Sequence, residues 1–319
     1  MMDIFDTKTI SPMLIGKDEA AFDSDDYIFE LKWDGIRCLA YLSPDGVDFR
    51  NKRNKNLNST YPELSHIHKQ AKSRCILDGE LIVLKDGKPN FFEVQRRSLM
   101  TNQLKIKLAA QKLPVSFVAY DILYCDGEQI TDKSLLERKA ILERTATESD
   151  RLTISRYIER DGLALYKSAN HMGLEGIVAK CKDSKYYFDK RSPHWIKCKA
   201  MMDDDFIVCG YYDKGKAMVS VILGAFDGEK IIYQSSVAMG VSREDYKVMS
   251  SILQVEKAKY YANFPQKVDA VWIAPQLVCT VEYMERTPHG GLRQPVFKGL
   301  RDDKVPLNCV VSLGGNLAY

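Results

Sequence analysis

The sequence predicts an α+β domain over residues 1–200 followed by an all-β barrel domain over residues 201–319. Three observations predict this. Aromatic and aliphatic runs broken by Asp-Gly and Pro-Asp-Gly turns dominate the first part. One stretch inside it has helical spacing. Beyond Ala200 the chain becomes a series of short strand-like runs at regular turns.

Residues 27–41 read as strand, tight turn at Asp34-Gly35, and strand. Ser43-Pro44-Asp45-Gly46 is a turn signal, and Val47-Asp48-Phe49 starts another strand. Residues 75–84 read as a strand broken by Asp78-Gly79, with Lys85-Asp86-Gly87-Lys88 turning the chain back. Residues 116–124 and 176–180 are short buried-strand candidates. Residues 134–145 read as a helix, with Leu135, Leu136, Lys139 and Leu142 on one face. Asp203-Asp204-Asp205 reads as an exposed acidic hinge. Strands follow at 206–212, 218–226, 230–239 and 276–284, with turns at Asp213-Lys214-Gly215-Lys216 and Asp227-Gly228 and a helical insert near 242–253. That spacing suits a small closed barrel of the oligonucleotide-binding (OB) type.

Hydrophobic residues at 45% and charged residues at 28% of 319 exclude a disordered or fibrous chain. No stretch is long and apolar enough for a bilayer, and the first six residues lack the apolar core of a signal peptide. A cytoplasmic protein with no membrane partner is expected. The eight cysteines form no C-x-x-C pair and no spaced Cys/His set, so reduced core thiols are expected rather than a zinc site. The net charge of +3 permits nucleic-acid binding without indicating it. Basic clusters lie at Arg50-Asn51-Lys52-Arg53-Asn54-Lys55 and, among aromatics, across residues 180–199; by charge alone each reads as a solvated face.

The segment Glu30-Leu31-Lys32-Trp33-Asp34-Gly35-Ile36-Arg37 carries the sharpest chemical signal. A lysine attacks phosphorus only as the neutral amine, so a nucleophilic lysine needs cationic neighbours that lower its pKa from about 10.4. Trp195-Ile196-Lys197-Cys198-Lys199 offers them: on a strand Lys197 and Lys199 point the same way and can grip phosphate oxygens. An edge strand blunted by lysine is the plain alternative. Asp78-Gly79-Glu80 and Glu175-Gly176 each place a glutamate beside a glycine at a strand end, where it can bind a divalent cation or a ribose hydroxyl.

The ordered set resembles the covalent nucleotidyltransferase superfamily of ATP-dependent DNA ligases and mRNA capping enzymes. The matching residues are Lys32-x-Asp34-Gly35 with Arg37, then Arg53-Asn54 leading to Tyr61-Pro62-Glu63-Leu64. Glu80 of Asp-Gly-Glu and Tyr120-Asp121 come next. Glu175-Gly176-x-Val178-x-Lys180, Trp195-x-Lys197-x-Lys199 and Arg301-x-Asp303-Lys304 complete the series. Within that superfamily the chain is most similar to the ligase module of bacterial non-homologous end-joining ligases. Ile10-Ser11-Pro12-Met13-Leu14, Phe91-Phe92-Glu93-Val94-Gln95-Arg96, Arg286-Thr287-Pro288-His289-Gly290 and Pro295-Val296-Phe297-Lys298-Gly299 carry that likeness.

The resemblance implies a nucleotidyltransferase (adenylation) domain followed by an OB-fold domain, and a three-step ligation with ATP as co-substrate and Mg²⁺ or Mn²⁺ as metal. It implies Lys32 as the nucleophile toward the α-phosphate. Glu30 would accept from the adenine amino group, Tyr120 would stack on the base, and Arg37 and Glu80 would hold ribose. Glu80 and Glu175 would bind metal, Lys180, Lys197 and Lys199 would meet the α-phosphate, and a loop arginine, Arg53 or Arg50, would contact phosphate. Arg301, Asp303 and Lys304 would orient the departing pyrophosphate, after which the barrel domain would swing about the acidic segment. Nicked or broken duplex DNA is the implied partner, with a Ku-type end-binding protein and separate polymerase and end-processing enzymes beside it. The chain would be a monomer, nucleoid-associated when acting. The rival readings are a capping guanylyltransferase or RNA ligase, an NAD-dependent ligase, and a non-catalytic DNA-end-binding module.

Overall fold

The computed structural model describes residues 3–213, 219–256, 261–262, 264 and 269–310. The chain divides into two compact units, Met1–Ala200 and Met201–Tyr319.

Two sheets build the first unit. One has the strand order Leu14–Asp18, Arg191–Lys199, Gly176–Cys181, Ser24–Leu31, Tyr157–Arg160. The other runs Gly46–Asn51, Ile36–Ser43, Cys75–Lys85, Val115–Cys125, Glu128–Gln129, with Leu152–Ile154 parallel to Val115–Cys125. Side chains alternate across a strand, and here both faces of both sheets are covered. Ile28, Leu39, Tyr41, Ile76, Tyr120 and Trp195 pack into one cluster between the sheets. Phe29, Ile177, Ala179 and Ile196 face the other way, against Leu165 and Ala169 of helix Gly162–His171. Cys38, Ala40, Leu42 and Leu77 lie under Tyr61, Leu64, Val94 and Leu142. Strands buried on both faces read as unbroken apolar runs, which is the sequence signal they give.

Residues 27–41 do not form the expected hairpin. Ser24–Leu31 and Ile36–Ser43 lie in different sheets, joined by Lys32-Trp33-Asp34-Gly35. A Cβ on Gly35 would stand 2.2 Å from the Leu81 carbonyl oxygen, so this glycine marks a close backbone approach. Residues Cys75–Lys85 form one strand, and Asp78-Gly79 marks a register shift against Val115–Cys125 rather than a break. Helix Leu135–Thr145 starts at a capping box between Ser134 and Glu137. Helix Phe91–Ser98 is capped by Asn90 and turns Val94 inward beside the buried Arg97, whereas helix Gln103–Lys112 is capped by Asn102 and buries only Ile106, so it carries little periodic signal.

The second unit is built on a curled sheet in the order Tyr261–Ala262, Ile231–Val237, Val219–Phe226, Met202–Asp213, Val278–Tyr283, Val296–Arg301, with Ala270–Trp272 also pairing Met202–Asp213 and a small two-stranded ribbon of Glu285–Arg286 and Leu292–Arg293 beside it. The Phe297 N–H donates to the Met239 carbonyl at 2.8 Å and ties the last strand to the chain beyond Ile231–Val237. Phe206, Val221, Leu223, Val281 and Phe297 fill the inside with Met249 of helix Arg243–Ser251. The acidic run is not a hinge. Asp203, Asp204 and Asp205 belong to strand Met202–Asp213. Asp204 pairs with Arg286 at 3.0 Å, and Asp205 accepts from Thr280 Oγ1 at 2.5 Å and pairs with Lys304. Cations and a hydroxyl on neighbouring segments offset the like charges. Lys214, Gly215 and Lys216 of the expected turn, and Met218, lie outside the described residues. All eight cysteines are free thiols. Among the described residues no helix is long and apolar enough to cross a membrane.

Candidate active site

Period-two alternation puts Ile28, Glu30 and Lys32 in one row on the inner face of the five-stranded sheet. The register pairs Glu30 with Val178, Val178 with Lys197, Lys180 with both Ile28 and Trp195, and Gly176 with Lys199. Lys180, Trp195, Lys197 and Lys199 therefore share that face. In the facing sheet Arg37 pairs with Glu80 and Leu39 with Asp78, which brings Arg37, Asp78 and Glu80 to the same space. A cavity of about 240 Å³ opens there, lined among others by Glu30, Lys32, Trp33, Arg37, Lys52, Glu80, Tyr120, Lys180 and Trp195.

Lys32 sits where the chain leaves one sheet for the other. Its N–H donates to the Gly176 carbonyl at 2.9 Å, and Trp33 Nε1 donates to Ser155 Oγ at 3.1 Å, so the crossing is pinned on both sides. Lys32 Nζ lies 2.6 Å from Glu175 Oε2. Gly176 has a φ of +126°, and a Cβ there would stand 2.2 Å from the Cys198 carbonyl oxygen. Only glycine lets this loop lie on the next strand and present Glu175 to Lys32. The partner that the fold gives Lys32 is thus a carboxylate, where the sequence suggests cations. Lys199 is also within electrostatic reach. Burial first, then Lys197, and more weakly Lys32, hold Lys199 below the ordinary lysine range.

Arg37 forks onto Asp78, Nε to Oδ1 at 2.6 Å and Nη2 to Oδ2 at 2.5 Å, and Nη2 also donates to the Met13 carbonyl at 3.1 Å. Tyr186 OH donates to Asp78 Oδ2 at 2.7 Å and accepts from the Met13 N–H at 2.9 Å. Burial disfavours the Arg37 charge, but Asp78, Tyr120 and Tyr186 outweigh it and raise its pKa well above the usual value. Much of the expected ribose ligand's donor capacity is therefore engaged within the protein. Burial pushes Glu80 up to about 8, against the opposing pull of Arg37 and Lys32. Tyr120 OH donates to Glu80 Oε2 at 3.4 Å.

Glu30 is 1% exposed, and its Oε1 lies 2.5 Å from Lys139 Nζ and 3.1 Å from Lys180 Nζ. Lys180 Nζ also stands 4.5 Å from the Tyr120 ring centroid and 4.2 Å from that of Trp195, and Arg37 lies 4.8 Å from Tyr120. Burial brings Lys180 down to about 8, against the raising effect of Glu30. Lys180 thus lines the cavity and is at the same time a counter-ion of Glu30.

The family described as "ATP dependent DNA ligase domain" matches residues 12–199, more than half of the chain. The chain belongs to this family. The family described as "ATP dependent DNA ligase C terminal region" matches residues 214–304. The multifunctional non-homologous end joining DNA repair protein LigD of Mycobacterium tuberculosis is 28% identical over 96% of this chain and 40% of its own length. The SPbeta prophage-derived DNA ligase-like protein LigB of Bacillus subtilis is 28% identical over 92% of this chain and 99% of its own. A solved structure described as mycobacterial DNA ligase D complexed with ATP and MES matches with a TM-score of 0.56 and 27% identity, over 94% of this chain and 98% of that one. The chain spans about two fifths of the length of LigD. The fold is that of this family: an α+β nucleotidyltransferase domain followed by an OB-fold domain.

Not all the residues expected from the ATP-dependent ligase pattern reach the cavity. Lys197 and Lys199 both approach Asp18 Oδ2, at 3.2 and 3.7 Å, so they do point the same way, but neither lines the cavity. In the loop, Arg50 forks onto Asp48 at 2.8 and 3.0 Å, and Arg53 is exposed, with only its N–H shown donating, to Asn51 Oδ1 at 2.9 Å. Lys52 is the loop cation that lines the cavity. Arg301, Asp303 and Lys304 belong to the second unit. There Arg301 forks onto Asp303, both contacts at 2.6 Å, and Lys304 pairs with Asp205. Asp18, Lys139 and Tyr186 stand behind the cavity residues without a motif of their own, and Asp78, of Asp-Gly-Glu, braces Arg37. Asp78 was legible from alternation, two residues before Glu80 on the same face. Lys139 was legible as a charge on an otherwise buried helix face, which demands a counter-charge.

Proposed function

We propose that this chain is an ATP-dependent DNA ligase that works through a lysyl-AMP adduct on Lys32. The observation that carries the reading is the position of Lys32. It stands at the crossing between two sheets, at a cavity shared with Glu30, Arg37, Glu80 and Tyr120, inside the segment that matches the ligase family. The Lys32 amine attacks the α-phosphorus of ATP, a P–N bond forms, and pyrophosphate leaves. The AMP then passes to the 5′-phosphate at a nick, releasing the Lys32 amine. The 3′-hydroxyl attacks that phosphate, the phosphodiester forms, and AMP departs.

Glu175 holds the Lys32 amine in place and is the group within reach to accept the proton that the amine sheds before it attacks. The aromatic and acidic wall of Tyr120 and Glu30 receives the base. Arg37, fixed by Asp78, lies beside ribose, and Lys52 is the loop cation at the phosphates. Lys197 and Lys199 reach phosphate by exchanging Asp18 for it. Arg301, Asp303 and Lys304 act on the pyrophosphate.

Among the described residues no three His, Cys, Asp or Glu side chains converge to cage a metal. Two carboxylates, Glu80 and Glu175, fit the habit of Mg²⁺, which takes one or two carboxylates and completes its shell with phosphate oxygens and water. A divalent cation held there would supply neutralisation of the charge that develops on the phosphate.

The likeness to LigD supports a role in DNA end joining, with broken duplex DNA as substrate and an end-binding protein of the Ku type as partner. One experiment tests the core of the reading. Incubation with ATP labelled on the α-phosphate, followed by denaturation, should leave an acid-labile label on the wild-type chain and none on Lys32→Ala. Label retained on the variant would move the nucleophile elsewhere, and a guanylate adduct from labelled GTP would favour a capping enzyme.

A further inference from the structure

The ion pair between Glu30 and Lys139 joins the cavity to a helix that does not line it. Glu30 projects from strand Ser24–Leu31, and Lys139 lies on the buried face of helix Leu135–Thr145. Both side chains are 2% exposed, and they meet at 2.5 Å. We propose that Lys139 is a positioning residue that sets which purine nucleotide the cavity accepts, by fixing the charge and orientation of Glu30; this rests on the nucleotide-binding reading above.

The argument starts from the cost of a buried carboxylate. A carboxyl group taken out of water without a counter-charge becomes neutral rather than ionised. A neutral carboxyl both donates and accepts, so it bonds to an amino group and to a carbonyl alike. An ionised one only accepts, so it favours the amino group of adenine and repels the carbonyl that guanine presents at the same place. Selectivity therefore depends on the counter-charge behind the Glu30 carboxylate.

Two ammonium groups are available. Lys180 is the weaker guarantor, because it reaches Glu30 at the longer distance of 3.1 Å and burial brings it down to about 8. Lys139 makes the shorter contact. The nearest contact of each lysine is to Oε1. The charge on Lys139 thus stands behind the carboxylate, on a helix capped at Ser134. A lysine in this role touches no nucleotide and would leave the phosphate chemistry at Lys32 intact.

The test compares nucleotide binding by calorimetry in the full chain and in Lys139→Met, Lys139→Arg and Glu30→Gln. The expected result for Lys139→Met is about a tenfold loss in the preference for ATP over GTP, with the rate of Lys32 labelling at saturating ATP within about twofold of wild type. Lys139→Arg should restore the preference, because it returns the cation. Should Lys139→Met fail to fold, the double variant Glu30→Gln/Lys139→Met carries the test, since it leaves no carboxylate unpaired; its preference should equal that of Glu30→Gln alone. A folded Lys139→Met with an unchanged ATP-to-GTP ratio, or a double variant that differs from Glu30→Gln, overturns the inference. A wild-type chain that binds ATP selectively but forms no adduct overturns the ligase reading and leaves this one standing. Binding of neither nucleotide overturns both.

Discussion

Lys32 Nζ and Glu175 Oε2 lie 2.6 Å apart, with the glutamate side chain 5% exposed. A pair this enclosed holds the amine at one place, and it costs more to break from one side than to leave whole. Glu175→Ala should therefore impair both AMP loading from ATP and sealing of a nick that already carries AMP, each by about a hundredfold or more, since a carboxylate that would hold the divalent cation is lost from both phosphoryl transfers. Lys32→Ala should abolish loading yet still seal the pre-adenylated nick. Single-turnover assays of the two steps separate the cases. Equal behaviour of the two variants would show that Glu175 serves only the lysine.

Arg37 and Asp78 form a second enclosed pair, and Asp78 is 0% exposed. Removing one partner of such a pair leaves a buried charge, at a cost of about 3–5 kcal/mol. Asp78→Ala should show that loss in urea denaturation, and Tyr186→Phe, which removes one donor from Asp78, about 1–3 kcal/mol. Tyr186→Phe should also raise the KM for ATP while the rate of loading at saturation stays near wild type, because it loosens Arg37 without touching Lys32. A variant pair of wild-type stability would mean that Arg37 is held by other contacts.

These pairs show what the sequence could and could not convey. Lys32, Arg37, Glu80, Glu175 and Lys180 were legible because each sits in a short ordered motif. The crossing of Lys32 between two sheets was not, since a strand, Asp-Gly and a second strand read the same for a hairpin and for a sheet-to-sheet link. The pairing of Ser24–Leu31 with Gly176–Cys181, and of Ile36–Ser43 with Cys75–Lys85, separates them, and both are long-range contacts. Asp203, Asp204 and Asp205 looked like a hinge because their partners, Arg286, Thr280 and Lys304, lie some 75 to 99 residues away. Helix Gln103–Lys112 was hidden because only Ile106 of it is buried, and helix Phe91–Ser98 because one of its two buried side chains, Arg97, is charged. Lys139 was read as part of an apolar helix face, when its burial meant a carboxylate partner.

Lys180 supplies a prediction about pH. Its folded-state pKa is lowered from 10.5 to about 8, first by burial. A lowered lysine pKa means that the unfolded chain holds the proton over a range where the folded chain has released it. Stability should rise with pH between about 8 and 10.5, and the gain should be lost as pH falls through about 8. The size is on the order of 3 kcal/mol at most. Lys180→Met should flatten that part of the profile. Denaturation at pH 7.5 and pH 10, compared between wild type and variant, reads the difference. A variant that gains as much as wild type over that interval would show that Lys180 keeps its proton in the fold.

Arg301 and Lys304 concern the first step alone. In the second unit Arg301 forks onto Asp303 at 2.6 Å on both contacts, and Lys304 pairs with Asp205. Asp303 and Lys304 are exposed and Arg301 is half-exposed, so solvent and salt screen the pairs and a pyrophosphate can compete for the cations at little cost. Asp303→Ala/Lys304→Ala should therefore leave the melting temperature close to wild type while blocking AMP loading from ATP. Pyrophosphate has left before sealing begins, so the same variant should still close a nick whose 5′-phosphate already carries AMP. Adding pyrophosphate to a pre-loaded chain gives an independent measure, because reversal to ATP uses the same contacts and should slow in parallel. If the variant loads AMP at the wild-type rate and fails on the pre-adenylated nick, these residues belong to the DNA step instead.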